Sequence, residues 1–374
     1  MSDANNMFLL AGILPAMRRK RNAFVVHPAP VKRMSKQLRP PSVSSQDLDP
    51  ALDPIISWWY RQPDARERFR WVLRDSIDEL LDGERTGHWC YQHFGKTEKT
   101  HLGTVIEINL AKEFAIPQGH DLDWRIAGCD LDCKFSKDVG GWEIPMEMYL
   151  CADHGEQSGR ADHPALVVWL DDDMSHWAAG VVRVTDDRLK FRDRNGIRER
   201  QYNRDNKRNL SDAGMNAIYW LWGGLQQDLP ENLLRHMNPA DRTAVLDASL
   251  SGQQRVNELF RRMTEKLVSR HVINTVGQQD DAPKRVRDAR NPAPQGIGSE
   301  GYWILGHQEA HPQIAAAFGL PIPEKGEWVS VKVAEVSQSS SRPKVKIGKS
   351  YWAKAIPGDK IGPAPKIPRG RLED

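Results

Sequence analysis

The chain has 374 residues, with 53 Lys and Arg against 50 Asp and Glu for a net charge of +3. That length exceeds one ordinary hydrophobic core and suits two domains with tails. The small net charge conceals basic clusters at 18–21, 32–39, 284–290 and 342–371, which point to a polyanionic partner. The apolar run MFLLAGILPAM is too short to span a bilayer and is followed, not preceded, by its arginines, which argues against an anchor and a signal peptide. Cys90, Cys129, Cys133 and Cys151 show no paired CxxC spacing and read as reduced thiols of a cytoplasmic protein.

Residues 1–50 mix Arg/Lys clusters with Pro and Ser and hold no sustained period, so they read as a basic, flexible extension. From Arg66 to Asp82, Phe69, Leu73, Ile77, Leu80 and Leu81 predict an amphipathic helix stopped by Gly83. A second helix is predicted over Thr100–Phe114, with Leu102, Val105, Ile106 and Leu110 inward and Glu107 beside them. Next comes DLDWRIAGCDLDCKFS at 121–136, which alternates as a strand: Asp130, Asp132 and Lys134 on one face, Leu131, Cys133 and Phe135 on the other. The turn VGGWEIP, the strand ALVVWL, the link DDDMSH and the strand WAAGVVRV complete an α/β pattern over 51–230.

After the linker LPENLLRHMNP the pattern turns helical and a second domain, 231–340, begins. One helix is predicted over 251–268, another over Val272–Val276, and a third over DDAPKRVRDAR with Asp281 as its N-cap. GYWILGH, a helix through Ala317 and the β-like WVSVKVAEV follow, the order expected of a winged helix-turn-helix. Residues 341–374 read as a basic C-terminal tail.

Asp123 precedes Asp132 by nine positions, and Asp132-Cys133-Lys134 has the D-x-K arrangement of a PD-(D/E)xK nuclease site. Magnesium is a hard cation that takes carboxylate oxygens while keeping water, and a lysine on the same strand face can polarise that water and offset charge at a phosphate. Glu107 can add a third carboxylate, and Asp130 is either a ligand or a solvated acid. In the third helix of the second domain Lys284, Arg285, Arg287 and Arg290 suit phosphate contacts, and Gln278 and Gln279 are candidates for reading base edges.

The stretches IDELLDGERTGHW, KTEKTHLGTVIEINL, DWRIAGCDLDCKFS, GGWEIP, SGQQRVNELFRRM, TVGQQDDAPKRVR and GLPIPEKGEWVSV resemble, in order, the NaeI family of type II restriction endonucleases. The resemblance implies a PD-(D/E)xK endonuclease domain followed by a winged-helix domain like that of the catabolite activator protein. It places Glu107, Asp123, Asp132 and Lys134 in the catalytic positions. It also implies a homodimer, magnesium, the palindrome GCCGGC and double-stranded DNA bound at two sites, one as substrate and one as effector. The chain departs from the pattern in its N-terminal extension and in insertions around YLCADHGEQSGRADH and LKFRDRNGIRERQYNRDNK. Two alternatives stand beside this: topoisomerase-like cleavage and religation, which needs a tyrosine nucleophile such as Tyr91, Tyr149 or Tyr302, and a DNA-binding regulator without catalysis.

Overall fold

The computed structural model describes residues 24–30, 40–41, 49–150, 161–368 and 370–372. Helices α1 (Asp53–Arg61), α2 (Ala65–Leu81), α3 (Gly83–Thr86) and α4 (Lys96–Glu113) come first. Strands β1 (Trp124–Ile126), β2 (Cys129–Ser136), β3 (Pro164–Asp171) and β4 (His176–Arg183) follow. A separate hairpin, β5 (Phe191–Arg194) with β6 (Ile197–Arg200), precedes α5 (Asp212–Asn216) and β7 (Tyr219–Trp220). The main sheet runs β1-β2-β3-β4-β7, with β2 and β3 parallel and the other neighbours antiparallel.

β3 is apolar on both faces because both are covered. Leu166, Val168 and Leu170 join the core under α1, α2 and α4, with Phe69, Leu73 and Ile106, whereas Ala165, Val167 and Trp169 join a second cluster around Trp142 and Ile144. Its neighbour β2 buries Leu131 and Cys133 in the first core and packs Cys129 and Phe135 against it, leaving its other face to the carboxylates. The helix expected over 66–82 ends one residue earlier, with Asp82 in the left-handed region (φ 45°). Gly83 is needed for another reason: a Cβ there would meet Thr275 Oγ1 at 2.2 Å. α4 starts four residues before the expected Thr100, where Glu98 Oε2 accepts the Gly95 N–H at 2.6 Å.

The short α6 (Leu233–His236) lies in the linker and leads to α7 (Pro239–Val245), α8 (Gly252–Arg262), β8 (Leu267–Ser269), α9 (Arg270–Gly277) and α10 (Ala282–Ala289). Then come β9 (Tyr302–Leu305), α11 (His311–Ala317), β10 (Glu327–Val336), β11 (Lys344–Ile347) and β12 (Ser350–Lys354). The helix expected over 251–268 is shorter: α8 ends at Arg262, Glu265 takes φ 65°, and Val268 pairs with Trp328 of β10. β10 also pairs antiparallel with β9 and β12.

Two segments expected to lie outside the cores pack into them. In the basic "tail", β11 and β12 extend the second sheet, and Val345, Ile347 and Trp352 are buried with Trp303, Phe318 and Val331. Alternating Lys and Val in KVKI gave a strand whose charge obscured its apolar face. In the N-terminal extension, Phe24 lies 3.3 Å from the Arg255 guanidinium, Trp89 Nε1 donates to His27 O at 3.2 Å, and Asp49 accepts from Arg183 at 2.8 Å. These contacts need a whole fold to form, so no local period announces them. The basic clusters 18–21 and 32–39, and most of the insertion around YLCADHGEQSGRADH, lie outside the described residues.

Candidate active site

β2 is locked in register beside β3, with Asp132 opposite Ala165 and Lys134 opposite Val167. Alternation therefore carries Asp132 and Lys134 to the same face, and the Lys134 ammonium contacts the Asp132 carboxylate. Glu107 reaches in from α4, and Asp123 stands immediately before β1. One carboxylate oxygen from each of Glu107, Asp123 and Asp132 lies within 4.8 Å of the others; Asp132 is buried, Glu107 half-buried and Asp123 exposed.

Such crowding is electrostatically costly. Burial, with the neighbouring Asp123 and Asp132 charges, pushes Glu107 up to about 7, against the pull of Lys134. Burial likewise holds Asp132 above the usual carboxylate range, although Lys134 opposes it. Asp132 Oδ1 is buried and finds no hydrogen-bond donor. A cation in reach of that oxygen would satisfy it and relieve the repulsion. The Cys133 thiol between Asp132 and Lys134 is buried, which pushes it well above its ordinary value, so it is an inert packing group.

Asp130 is neither a member of that cluster nor a solvated acid. Its Oδ2 accepts the backbone N–H groups of His120 and Asp121, both at 2.6 Å, and its Oδ1 receives Arg125 Nη1 at 2.8 Å. These bonds hold its carboxyl below the usual range despite burial, and they clamp the turn that presents Asp123. The strand pattern placed Asp130 correctly on the charged face but gave no sign of its partners. Asp130→Asn should loosen the turn and raise the metal concentration for half-maximal activity by about tenfold, as removal of groups that orient metal ligands commonly does. A metal titration of cleavage checks this; an unchanged midpoint would mean the turn holds itself.

The six expected DNA contacts divide. Arg287 is exposed and has no carboxylate partner among the described residues, and Lys284 is exposed beside Asp288 at 2.6 Å. Arg285 is held by Asp281, with Nε and Nη2 each at 3.0 Å, so Asp281 spends its side chain there and not on capping α10. Two assignments need correction. Arg290 is a packing residue: its Nε donates to Ile304 O at 2.8 Å, Nη2 lies 3.3 Å from His311 Nδ1, and burial lowers its pKa to about 10. Gln278 is engaged with the N-terminal segment, donating to Val25 O at 2.7 Å and accepting the Val25 N–H at 3.1 Å. Gln279 Oε1 is buried without a partner.

The three tyrosines weighed as nucleophiles are poorly placed for it. Burial raises the pKa of Tyr91, Tyr149 and Tyr302, and Tyr91 and Tyr149 are buried outright. A cleft of about 910 Å³ lies between α2 and the second unit, lined by Arg70, Asp75, Glu231, Lys266 and Arg270 among others; none of the clustered carboxylates faces it.

Comparison with known proteins fits this arrangement. The family model described as restriction endonuclease NaeI matches residues 59–363, a span holding both units. The type II restriction enzyme NaeI of Lentzea aerocolonigenes is 39% identical over 330 residues, covering 87% of this chain and 96% of that protein. The chain belongs to the NaeI family of type II restriction endonucleases, site-specific deoxyribonucleases.

Proposed function

We propose that the chain acts in the cytoplasm as a homodimeric, magnesium-dependent endonuclease that hydrolyses double-stranded DNA at a GC-rich palindrome, GCCGGC by family resemblance. The observation that carries the catalytic part is the meeting of Glu107, Asp123 and Asp132 within 4.8 Å, with Lys134 on Asp132. The donor set is all carboxylate oxygen, one oxygen is buried and unsatisfied, and one residue is exposed, which suits a hard cation that keeps water. A bound magnesium ion would supply Lewis acidity toward the phosphate and a water of lowered pKa. The protein's own part is to orient the three carboxylates through α4, the clamped turn and β2. Lys134, fixed on the face of Asp132, offsets negative charge as the attacking water adds to phosphorus and the P–O bond breaks.

The second unit supports an effector role. Its order α8-β8-α9-α10-β9-α11-β10, with β10 between β8 and β9, fits a winged helix-turn-helix that carries α11 between its last two strands, and we assign α10 to the groove of a second DNA copy with Lys284 and Arg287 on phosphates. Digestion of a one-site plasmid with magnesium and with EDTA, each with and without an added duplex bearing the site, tests both parts. Cleavage in EDTA would remove the metal from the reading; lack of stimulation would remove the effector.

The raised pKa of Glu107 gives a pH signature. Between the ordinary value of 4.5 and about 7, ionising Glu107 costs the metal-free fold stability, and the penalty is complete above that window. Metal-free Glu107→Gln should therefore melt higher than wild type at pH 8, with the difference vanishing near pH 4.5. Magnesium should raise the wild-type melting temperature more at pH 8 than at pH 6, because at pH 6 it must displace a proton. Equal shifts at both values would show that Glu107 is not a ligand.

A further inference from the structure

Between Lys190 and Lys207 the chain carries seven Lys and Arg against three Asp and Glu, and its β5–β6 hairpin stands off the main sheet with every residue from Arg192 to Arg198 exposed. Asn195 and Gly196 turn it with φ 56° and 79°, the left-handed pair that suits a two-residue hairpin. Pairing of Phe191 with Arg200 and of Arg194 with Ile197 gives the ribbon two faces. One carries Phe191, with the Arg198 guanidinium 4.0 Å from the ring centroid; the other carries Arg194 and Ile197 at the tip.

An isolated two-stranded ribbon without a buried face is marginal in water, so its base must be held. Arg208 holds it: fully buried, it donates to Lys190 O at 3.1 and 3.0 Å, stacks 4.6 Å from Phe191 and pairs with Asp186. Arg208 N–H also bonds Ile144 O at 2.9 Å, which ties the base to the segment that follows the catalytic strand β2. Arg192 and Arg200 answer Glu199 and Asp186, but Arg194 and Arg198 meet no carboxylate among the described residues. Ile197 is 64% exposed beside them. The result is a stiff, cationic arm with an apolar tip, of the width that a DNA major groove admits.

We propose that this hairpin is a DNA-contacting arm of the nuclease unit, with Arg194 and Arg198 on phosphates of the substrate duplex and Ile197 against its groove wall. The proposal rests on the reading of the chain as a DNA nuclease. A solvated hairpin of no function would tolerate any residue at its tip, and the partner that matches this one is a polyanion with a groove.

The test is a double variant, Arg194→Ala with Arg198→Ala, in the full chain; both side chains are exposed, so the melting temperature should not move. Binding of a labelled GC-rich duplex in EDTA should weaken at least tenfold. Its salt dependence should flatten by about two counterions, one for each lost phosphate contact. With magnesium and a two-site plasmid, KM should rise while kcat at saturating DNA stays unchanged. A control variant, Arg61→Ala with Lys112→Ala, removes the same charge elsewhere; an equal loss there would reduce the effect to net charge and overturn the proposal. Unchanged salt dependence, or a defect only in stimulation by added duplex, would overturn it too. Failure of the wild-type chain to bind any duplex would instead refute the nuclease reading beneath it.

Discussion

Asp132→Ala is expected to lower cleavage by at least ~10³-fold while short duplexes still bind, because it removes the one buried oxygen donor of the cluster and no DNA-facing surface. Lys134→Ala should lose about 10² to 10³ in rate, the usual size for one electrostatic contributor to a charged transition state. The two differ in what remains. Without Asp132 the metal loses a ligand and Lys134 its carboxylate partner, so the magnesium needed for any residual activity should rise. Without Lys134 the three carboxylates stay and lose their only compensating cation in the cluster, so metal should bind at least as tightly as before. Cleavage assays across a magnesium series, with calorimetry of metal binding, separate these outcomes. Rates near wild type in either variant would take β2 out of the mechanism.

The carboxylate cluster was legible because strand alternation is local. The order DLDCKF fixes which side chains share a face wherever the strand sits, and the i, i+3, i+4 apolar pattern of α4 turns Glu107 out of its core face. Partners distant in sequence were not legible. Asp130 sits on the same face as Asp132, and only the fold shows that the turn at 120–121 and Arg125 close around it. Arg290 reads as one more base in a cationic helix until β9 and α11 are in place to bury it. Likewise β11 and β12 are short, and become strands only where β10 gives β12 an edge to pair with and β12 in turn gives one to β11.

Arg74→Ala is expected to destabilise the protein by about 3 to 5 kcal/mol, the usual cost of removing one partner from a buried ion pair. Arg74 on α2 is 4% exposed and Asp172, in the link after β3, is 2% exposed, with Nη1 2.6 Å from Oδ1. Asp78 adds a second carboxylate 2.7 Å away. Burial opposes a charged guanidinium, yet Asp78 and Asp172 hold its pKa above the ordinary value, so Arg74 is committed as a cation. Asn232 donates to the other oxygen of Asp172 at 3.3 Å and to Trp89 O at 3.0 Å, so the link is tied through it to the helical unit. Removing Arg74 leaves Asp172 buried with only this neutral donor, and the protein should melt roughly 5 °C lower. Arg74 Nε has no acceptor, so the network is incompletely satisfied and an apolar pair of similar volume can compete with it. Arg74→Met with Asp172→Leu should therefore regain most of the lost stability, which a simple packing defect at Arg74 would not allow. Because Arg74 is not in the carboxylate cluster, the single variant should cleave DNA as the wild type does below its melting transition. A melting temperature equal to wild type would show that water, not Arg74, already neutralises Asp172.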